Sequence, residues 1–318
     1  MLTSGGDAPG MNSAVRSIVK TLINKGAEVI GIRCGFIGLL KMKFTKLDVM
    51  DVDHISSDGG TFLKTGRTDK FKTEAGINLA VKNIKKMGLD GLIIIGGNGS
   101  IMGAKKLAEK GVKVIAVPGT IDNDIAGTDY SIGFDTACNV VISSVDKILD
   151  TAYSLVNENP RVFLIEVMGR KSGDIAIHSA LSGGVDEFLV PGKELNYKKI
   201  ISNLEKKFVR GKEHAIIIMA EGVGDSEIIK ENLEMELGFK VKRILLGHLQ
   251  RGGNPTVFDR TLAARFGYQA VQSILNSYGN FMVGIQNSSI ELKKIEDIDE
   301  KDKEFDHETY ELCRVLCR

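Results

Sequence analysis

Two carboxylates and a hydroxyl follow an apolar, strand-like run at residues 113–117, within the segment PGTIDND of residues 118–124. Ligands of open α/β sheets bind just outside the carboxyl ends of strands, which is where this segment stands. Asp122 and Asp124 are two residues apart, so in extended chain both side chains would point the same way. Paired carboxylates can divide the labour, one as a general base and the other near a metal ion. An ordinary Asx-rich turn is the alternative interpretation of the same residues.

Two glycine-rich turns stand in the same relation to apolar runs. Residues 4–10, SGGDAPG, precede a helical pattern, and residues 96–100, GGNGS, separate the run LIII from a helix predicted over about 101–110. Glycines let backbone N–H groups approach a ligand closely, and the N-terminus of a helix attracts anions. The spacing fits neither the P-loop nor the dinucleotide fingerprint. Strand, glycine loop and helix in repetition nevertheless predict a phosphate-binding site.

Apolar strand-like runs alternate with helical patterns, which predicts an α/β fold with doubly wound, largely parallel sheets. The predicted strands are short and rich in Ile and Val, as expected of strands buried on both faces. They cover residues 28–33, 91–95, 113–117, 162–167, 188–190, 215–219 and 281–285. The clearest helical periods cover residues 74–87, 135–155 and 259–275. The highly charged segment 291–307 predicts a solvated face.

Composition excludes several classes of protein. The 318 residues are 43% hydrophobic and 26% charged, with a formal net charge of +1, which is typical of a globular enzyme of about two domains. This balance favours neither a nucleic-acid binder nor a membrane-surface protein, and the lack of a signal peptide or a spanning apolar stretch predicts a cytoplasmic protein. The four cysteines match no metal or disulfide pattern, and we interpret Cys313 and Cys317, four apart, as surface or packing thiols.

Six segments resemble, in chain order, the signatures of the bacterial-type ATP-dependent 6-phosphofructokinase family. They are SGGDAPGMN, GGTFL with an arginine shortly after it, GGNGS, PGTIDND, EVMGR and GHLQRGG. The likeness runs from Leu2 to about Asn287, and PGTIDND and GHLQRGG are its most specific parts. The family's first strand is several residues longer than residues 1–3, so either the start is truncated here or this strand is unusually short.

The resemblance implies two similar doubly wound lobes with the active site in the cleft between them. The ATP-binding lobe would be residues 1–133 plus 250–302, and the fructose 6-phosphate-binding lobe would be residues 134–249 plus 303–318. ATP would be the phosphoryl donor, with Mg²⁺ bridging its β- and γ-phosphates. The implied nucleotide contacts are Gly6, Arg67, Lys72, Gly97, Gly99, Ser100 and Gly103.

The resemblance also implies the catalytic roles. Asp122 would take the proton of the sugar 1-hydroxyl, Thr120 would hold the transferring oxygens, and Arg170 with Arg67 would offset their charge. Asp124 would orient the loop and the water shell of the metal. The implied sugar-phosphate contacts are Thr120, Asp122, Asp124, Arg161, Met168, Gly169, Arg170, Glu221, Lys242, His248 and Arg251. Arg161 and Lys242 would reach the substrate of a neighbouring subunit in a homotetramer with shared active sites. By itself, His248 could also be a satisfied interior histidine.

Three departures from the family pattern keep other functions open. Asn98 stands where the family has an aspartate that interacts with Mg²⁺, and Lys242 stands where arginine is usual. The charged positions of the family's effector site between subunits match Arg16, Lys20, Asp186, Arg210 and Lys212. Val49 and Leu149, however, replace arginines common in that site. The alternatives are a pyrophosphate-dependent phosphofructokinase and a catalytically weak, ligand-binding paralogue. Glycine at 99 and 119 resembles the ATP-dependent type.

Overall fold

The computed structural model describes residues 1–154, 158–276, 279–298 and 303–317. The chain groups into two compact units. The first unit comprises Met1–Thr136 with Arg251–Lys303, and the second comprises Ala137–Gln250 with Glu304–Arg318.

Short strands alternate with helices throughout the described residues. The strands are β1 (Leu2–Thr3), β2 (Val29–Ile32), β3 (Phe44–Leu47), β4 (Leu92–Gly96), β5 (Val114–Pro118), β6 (Arg161–Val167), β7 (Glu187–Leu189), β8 (His214–Ala220), β9 (Val241–Leu245), β10 (Phe281–Gln286) and β11 (Ser289–Lys294). The helices are α1 (Met11–Asn24), α2 (Gly35–Lys41), α3 (Val49–Val52), α4 (Glu74–Lys86), α5 (Asn98–Glu109), α6 (Phe134–Ser154), α7 (Asp174–Ser182), α8 (Tyr197–Val209), α9 (Ser226–Leu237), α10 (Val257–Leu275) and α11 (His307–Leu316).

The first unit is built on a sheet whose described strands run in the order β11-β10-β5-β4-β1-β2-β3. The inner strands pair in parallel, and β3 and β11 close the two edges in antiparallel pairs. Every residue of β4 and β5 is buried, as expected of parallel strands covered on both faces. The strand order reverses between β1 and β4. The carboxyl ends of these two strands are therefore the switch point at which open sheets bind ligands.

The second unit contains a parallel sheet of the described strands β7-β8-β6-β9. All seven residues of β8 are buried, and the core joins strand residues such as Leu164 and Ile217 to Leu204 of α8 and Leu233 of α9. The predicted α/β fold with largely parallel sheets is thus confirmed in both units.

The sequence prediction missed three strands, all at sheet edges. β3, β9 and β11 carry charged residues, as exposed edges do, so their patterns lack the apolar runs of the inner strands. Most of the described residues in 291–307 are exposed or half-buried, as predicted for a solvated face. The exceptions are Ile295 and Ile298, which are buried in the core directly after β11. The predicted helix over 135–155 is α6, and its expected end at Leu155 lies outside the described residues.

Asp259 fixes the start of α6. Its carboxylate is buried and accepts hydrogen bonds from the Gly133 N–H (2.8 Å), the Thr136 N–H (2.8 Å) and the Thr136 hydroxyl (2.5 Å). Burial raises the pKa of Asp259 to about 6, although these hydrogen bonds act in the opposite direction. The start of α6 is thereby tied to α10, directly after the loop that carries Asp122.

The structure also bears on the cysteines, on metal-ligating clusters and on membrane spans among the described residues. Cys313 and Cys317 are buried with their Sγ atoms 3.8 Å apart, which fits packing thiols. Across the described ranges, no three or more His, Cys, Asp or Glu side chains gather into a group that could hold a metal ion. Nor does any helix in those ranges have the length and apolar character needed to cross a membrane.

Candidate active site

A cavity of about 590 Å³ opens at the carboxyl ends of β1, β4 and β5 in the first unit. Its lining brings together the three segments that the sequence singled out, because the carboxyl ends of parallel strands meet at one edge of the sheet. The lining includes Ser4, Gly5, Gly6, Arg67, Lys72, Gly97, Asn98, Gly99, Ser100, Gly119, Thr120, Asp122, Asp124 and Arg251. The predicted nucleotide contacts therefore surround one cavity, with the exception of Gly103.

The start of α5 forms one wall of this cavity. The helix begins at Asn98, three residues before the predicted start, because Gly97 is the extended N-cap and the Ser100 N–H already bonds to the Gly97 carbonyl at 2.9 Å. The first N–H groups of a helix, here those of Asn98 and Gly99, have no intrahelical carbonyl to bind, and this turn holds no acidic side chain. The wall is therefore suited to bind an anion.

Different physical constraints favour glycine at different positions of this wall and of the first loop. Gly5 has a φ of 90°, which other residues rarely adopt. A Cβ at Gly96 would lie 2.4 Å from the Ser4 carbonyl oxygen, so only glycine allows the two loops to approach. A Cβ at Gly99 would meet nothing within 4 Å, which leaves open space at that point of the cavity.

The aspartate segment forms a tight turn after β5. Asp122 and Asp124 are half-buried and both line the cavity, as predicted. The expected extended geometry is wrong, because Asn123 between them has a left-handed φ of 51°. The Thr120 hydroxyl accepts the Asp122 N–H at 3.3 Å. A hydroxyl and two carboxylates thus face the same space as the start of α5.

Asn98 connects α5 to this turn. Its Nδ2 donates to the Asp124 carbonyl oxygen at 3.3 Å. The amide brings a neutral oxygen into the cavity where a carboxylate would bring a charge. Position 98 therefore fixes the geometry of two walls without adding a charge to either.

Cationic side chains complete the lining. Arg67 and Lys72 are exposed, and Lys72 forms an ion pair with Asp69 at 2.9 Å. The hydrogen bond from Lys72 lowers the pKa of Asp69, a lining residue that sequence reasoning missed. Arg251 donates to the Asp7 carbonyl at 3.0 Å and lies over Gly6, where a Cβ would be 2.5 Å from its Nη1. Arg251, a predicted sugar-phosphate contact, therefore lines the same cavity as the predicted nucleotide contacts.

Two aromatic rings in the lining were also missed. Phe36 and Phe71 stack with centroids 3.9 Å apart. A Cβ at Gly103 would lie 2.7 Å from Phe36 Cζ and 3.0 Å from Phe71 Cε1, so this glycine leaves room for the rings. Gly103 itself is not among the lining residues, and its role towards a nucleotide stays a prediction. The one sequence signal that could have indicated these rings was Phe71, an aromatic residue isolated between two lysines.

The second unit carries predicted sugar-phosphate residues at the carboxyl ends of β6 and β8. The Met168 N–H donates to Gln250 Oε1 at 3.2 Å, and Gly169 has a φ of 122°. Arg170 is 80% exposed and pairs with Glu221 at 3.3 Å, which leaves most of its surface open to an anion. His248 is exposed, so the alternative of an interior histidine is wrong.

Arg161 of β6 and Lys242 of β9 both lie near the ring of Phe163 in the second unit. Their cationic groups lie 5.1 and 5.8 Å from the centroid of the Phe163 ring. Arg161 is buried and donates to the Thr151 carbonyl, whereas Lys242 is exposed. Their role towards a neighbouring subunit stays a prediction.

The predicted effector residues of the first unit are engaged in ion pairs within the chain. Asp53 accepts Lys20 at 2.5 Å and lies 3.9 Å from Arg16. The hydrogen bond from Lys20 lowers the pKa of Asp53.

Two predicted effector residues of the second unit, Asp186 and Lys212, also form an ion pair with each other. Asp186 is buried and accepts Lys207 at 2.9 Å, Lys212 at 2.5 Å and the Ile216 N–H at 2.9 Å. Arg210 is exposed at the end of α8. An effector site at these positions stays a prediction.

Comparison with known proteins identifies relatives along nearly the whole chain. The family model described as Phosphofructokinase matches residues 1–274. The ATP-dependent 6-phosphofructokinases of Bacillus pumilus and Bacillus subtilis are 47% and 46% identical to it, each over 316 residues, 99% of this chain and 98% of theirs. The crystal structure of Pichia pastoris phosphofructokinase in the T-state superposes with a TM-score of 0.87 at 30% identity. That alignment covers 93% of this chain, which spans 37% of the Pichia chain.

Proposed function

The chain belongs to the phosphofructokinase family, and we propose that it transfers the γ-phosphoryl group of ATP to the 1-hydroxyl of fructose 6-phosphate. The products are fructose 1,6-bisphosphate and ADP, in a step of glycolysis. The observation that carries this proposal is the cavity at the switch point of the first sheet. There the start of α5 meets Thr120, Asp122 and the cations Arg67 and Arg251.

The residues of the cavity suit phosphoryl transfer, in which the protein mainly positions groups and neutralises charge. The Asp122 carboxylate takes the proton of the 1-hydroxyl while that oxygen attacks the γ-phosphorus. The Thr120 hydroxyl and the N–H groups at the start of α5 hold the transferring oxygens. Arg67 offsets the charge that develops on them, and the same role is proposed for Arg170 on the family resemblance alone. The open space at Gly99 accommodates the nucleotide.

Mg²⁺ is part of the proposal, and the donors of the cavity suit it. Asp122, Asp124 and the Asn98 amide offer hard oxygen atoms, the ligands that Mg²⁺ prefers. When bound, the ion would neutralise charge on the β- and γ-phosphates. Since no larger group of acidic side chains gathers within the described residues, phosphate oxygens and water would supply most of its ligands.

The motifs that carry the family resemblance supply the proposed contacts of the sugar phosphate. Met168, Gly169, Arg170, Glu221 and His248 form the part in the second unit, and Arg251 belongs to the first. Arg161 and Lys242 are proposed to serve a neighbouring subunit in a homotetramer, the closed symmetric assembly in which subunits can share sites. A cytoplasmic location belongs to the same proposal.

A steady-state assay of fructose 6-phosphate with ATP, and separately with pyrophosphate, tests the proposed function. We expect turnover with ATP to exceed turnover with pyrophosphate, because relatives 46–47% identical are ATP-dependent and positions 99 and 119 are glycines. Faster turnover with pyrophosphate would establish the other donor. Absence of turnover with both, while ATP still binds, would establish the catalytically weak paralogue. Light scattering at the assay concentration tests the tetramer.

A further inference from the structure

Asn123 separates the two aspartates of the active-site turn, yet it does not line their cavity. Its side chain is only 2% exposed, and its φ of 51° lies in the left-handed region. Asparagine tolerates that region better than most residues, and glycine tolerates it best. Asn123 therefore meets two separate requirements, one of the backbone and one of a buried polar side chain.

The Asn123 amide joins the turn to residues 129–131. Its Nδ2 donates to the Asp129 carbonyl at 3.1 Å, and its Oδ1 accepts the Ser131 N–H at 3.0 Å. The Ser131 hydroxyl lies 2.6 Å from the Thr120 carbonyl oxygen and 3.4 Å from Asn123 Oδ1. A hydroxyl has one proton, and the shorter distance assigns it to Thr120. The two residues that flank Ile121 and Asp122 are thus both tied to Ser131.

The segment that receives these bonds is itself fixed to the sheet. The Asp129 N–H donates to the carbonyl of Ile285, a residue of β10 in the first unit's sheet, at 2.8 Å. Ile132 forms a β-bridge with Gly119, and its N–H donates to the Pro118 carbonyl at 3.2 Å. The hydrogen bonds of Asn123 therefore connect the irregular turn to a segment that is itself bonded to the sheet.

We propose that Asn123 is a positioning residue, which holds the Asp122 carboxylate in the orientation needed to take the proton of the 1-hydroxyl. This inference rests on the proposed function. A misplacement of about 1 Å can lower a rate by about a hundredfold, so the hydrogen bonds of Asn123 affect the rate through Asp122. Their loss can have no such effect once the Asp122 carboxylate has been removed.

The test combines two substitutions. Asn123→Gly keeps the left-handed backbone accessible and removes the amide. We expect kcat to fall about 10- to 100-fold, while KM for ATP and for fructose 6-phosphate changes less than about threefold. In the Asp122→Asn background, the same substitution should change kcat less than about twofold. If Asn123 only stabilises the fold, Asn123→Gly should lower kcat by the same factor in both backgrounds, so that the two losses multiply in the double variant.

Two further variants separate positioning from folding. Ser131→Ala keeps Asn123 and removes the hydroxyl bond to Thr120, so we expect a smaller loss of kcat, about three- to tenfold, that also vanishes in the Asp122→Asn background. Asn83 is the matched control, because it is also buried and donates to the carbonyls of Leu39 and Leu40 at 2.9 and 3.0 Å. Asn83→Ala should lower the melting temperature and leave kcat of the folded enzyme unchanged.

The outcomes distinguish this proposal from the proposed function. An active wild type whose kcat is insensitive to Asn123→Gly, or whose losses multiply in the double variant, overturns the positioning role. If the wild type itself lacks phosphofructokinase activity, the proposed function fails. Amide hydrogen exchange then tests whether Asn123 restrains the turn. Amides of residues 120–124 should then exchange at least about tenfold faster in Asn123→Gly. Unchanged exchange would refute the structural basis of the proposal.

Discussion

Replacement of Asn98 by aspartate tests how the cavity handles Mg²⁺. Asn98 is the first residue of α5, lines the cavity and donates to the Asp124 carbonyl at 3.3 Å. Asn98→Asp adds a negative charge at the wall where the proposed Mg²⁺ would bind with the nucleotide phosphates. We expect a higher kcat and a lower Mg²⁺ concentration for half-maximal rate.

The magnitude follows from three opposing contributions. A unit charge pair at about 4 Å and an effective dielectric near 20 is worth about 4 kcal/mol. Repulsion from the phosphates and from the carboxylates of Asp122 and Asp124 removes a large part of this. Loss of the hydrogen bond from Asn98 Nδ2 removes about 1 kcal/mol more. A net gain of about 1–2 kcal/mol remains, which corresponds to about a five- to thirtyfold change.

The assay records initial rate against Mg²⁺ at saturating ATP for the wild type and for Asn98→Asp. Isothermal titration of nucleotide in the presence of Mg²⁺ supplies a readout independent of turnover. Asn98→Ala is the control, because it also loses the hydrogen bond to Asp124 and adds no charge. Because Asn98→Ala also removes the amide oxygen offered to Mg²⁺, it should need at least as much Mg²⁺ for half-maximal rate as the wild type. If Asn98→Asp leaves both kcat and the Mg²⁺ dependence unchanged, position 98 does not act through the metal.

Three other changes probe separate parts of the molecule. Asp122→Asn should lower kcat about 10²- to 10⁴-fold with little change in substrate KM, because it removes the general base; kcat near the wild-type value would exclude that role. Gly99→Leu fills open space in the cavity, so it should raise KM for ATP about tenfold and leave KM for fructose 6-phosphate within about twofold, as steady-state kinetics would show. The pKa of Asp259 is about 6 in the fold against an ordinary 3.8, so its contribution to stability is fully present below pH 3.8 and is lost as pH rises through 6. Urea unfolding at a series of pH values should show this loss, about 3 kcal/mol, in the wild type and not in Asp259→Asn.

The inner strands and the loops that follow them were predictable because their signals are local. β4 and β5 are uninterrupted apolar runs, and the loop glycines directly follow the strands that position them. The sequence predicted a phosphate-binding site from these loops, and GGNGS and PGTIDND line one cavity because parallel strands end at one edge of the sheet. The order of the strands in the sheet could not be predicted from local signals. The motif loops meet at one edge because the strands are parallel, which does not require knowledge of that order.

The remaining features depend on contacts between distant segments. Gly103 has no local signal for the ring pair that it accommodates, because Phe36 and Phe71 come from separate parts of the chain. Arg251 follows the second unit in sequence but lies over Gly6 in the first. The left-handed backbone of Asn123 was also missed, since asparagine is common in extended and turn conformations alike.

The two asparagines of the site have complementary consequences for catalysis. Asn123 is buried and donates to the carbonyl of Asp129, whereas Asn98 lines the cavity and donates to the carbonyl of Asp124 in the turn. Both restrain the backbone that directly follows Asp122, and neither places a charge next to its carboxylate. An aspartate at position 98 would attract Mg²⁺ more strongly, but it would also add a negative charge to the cavity that Asp122 and Asp124 line. The neutral amide at position 98 therefore gives up part of the attraction for Mg²⁺ and avoids that repulsion.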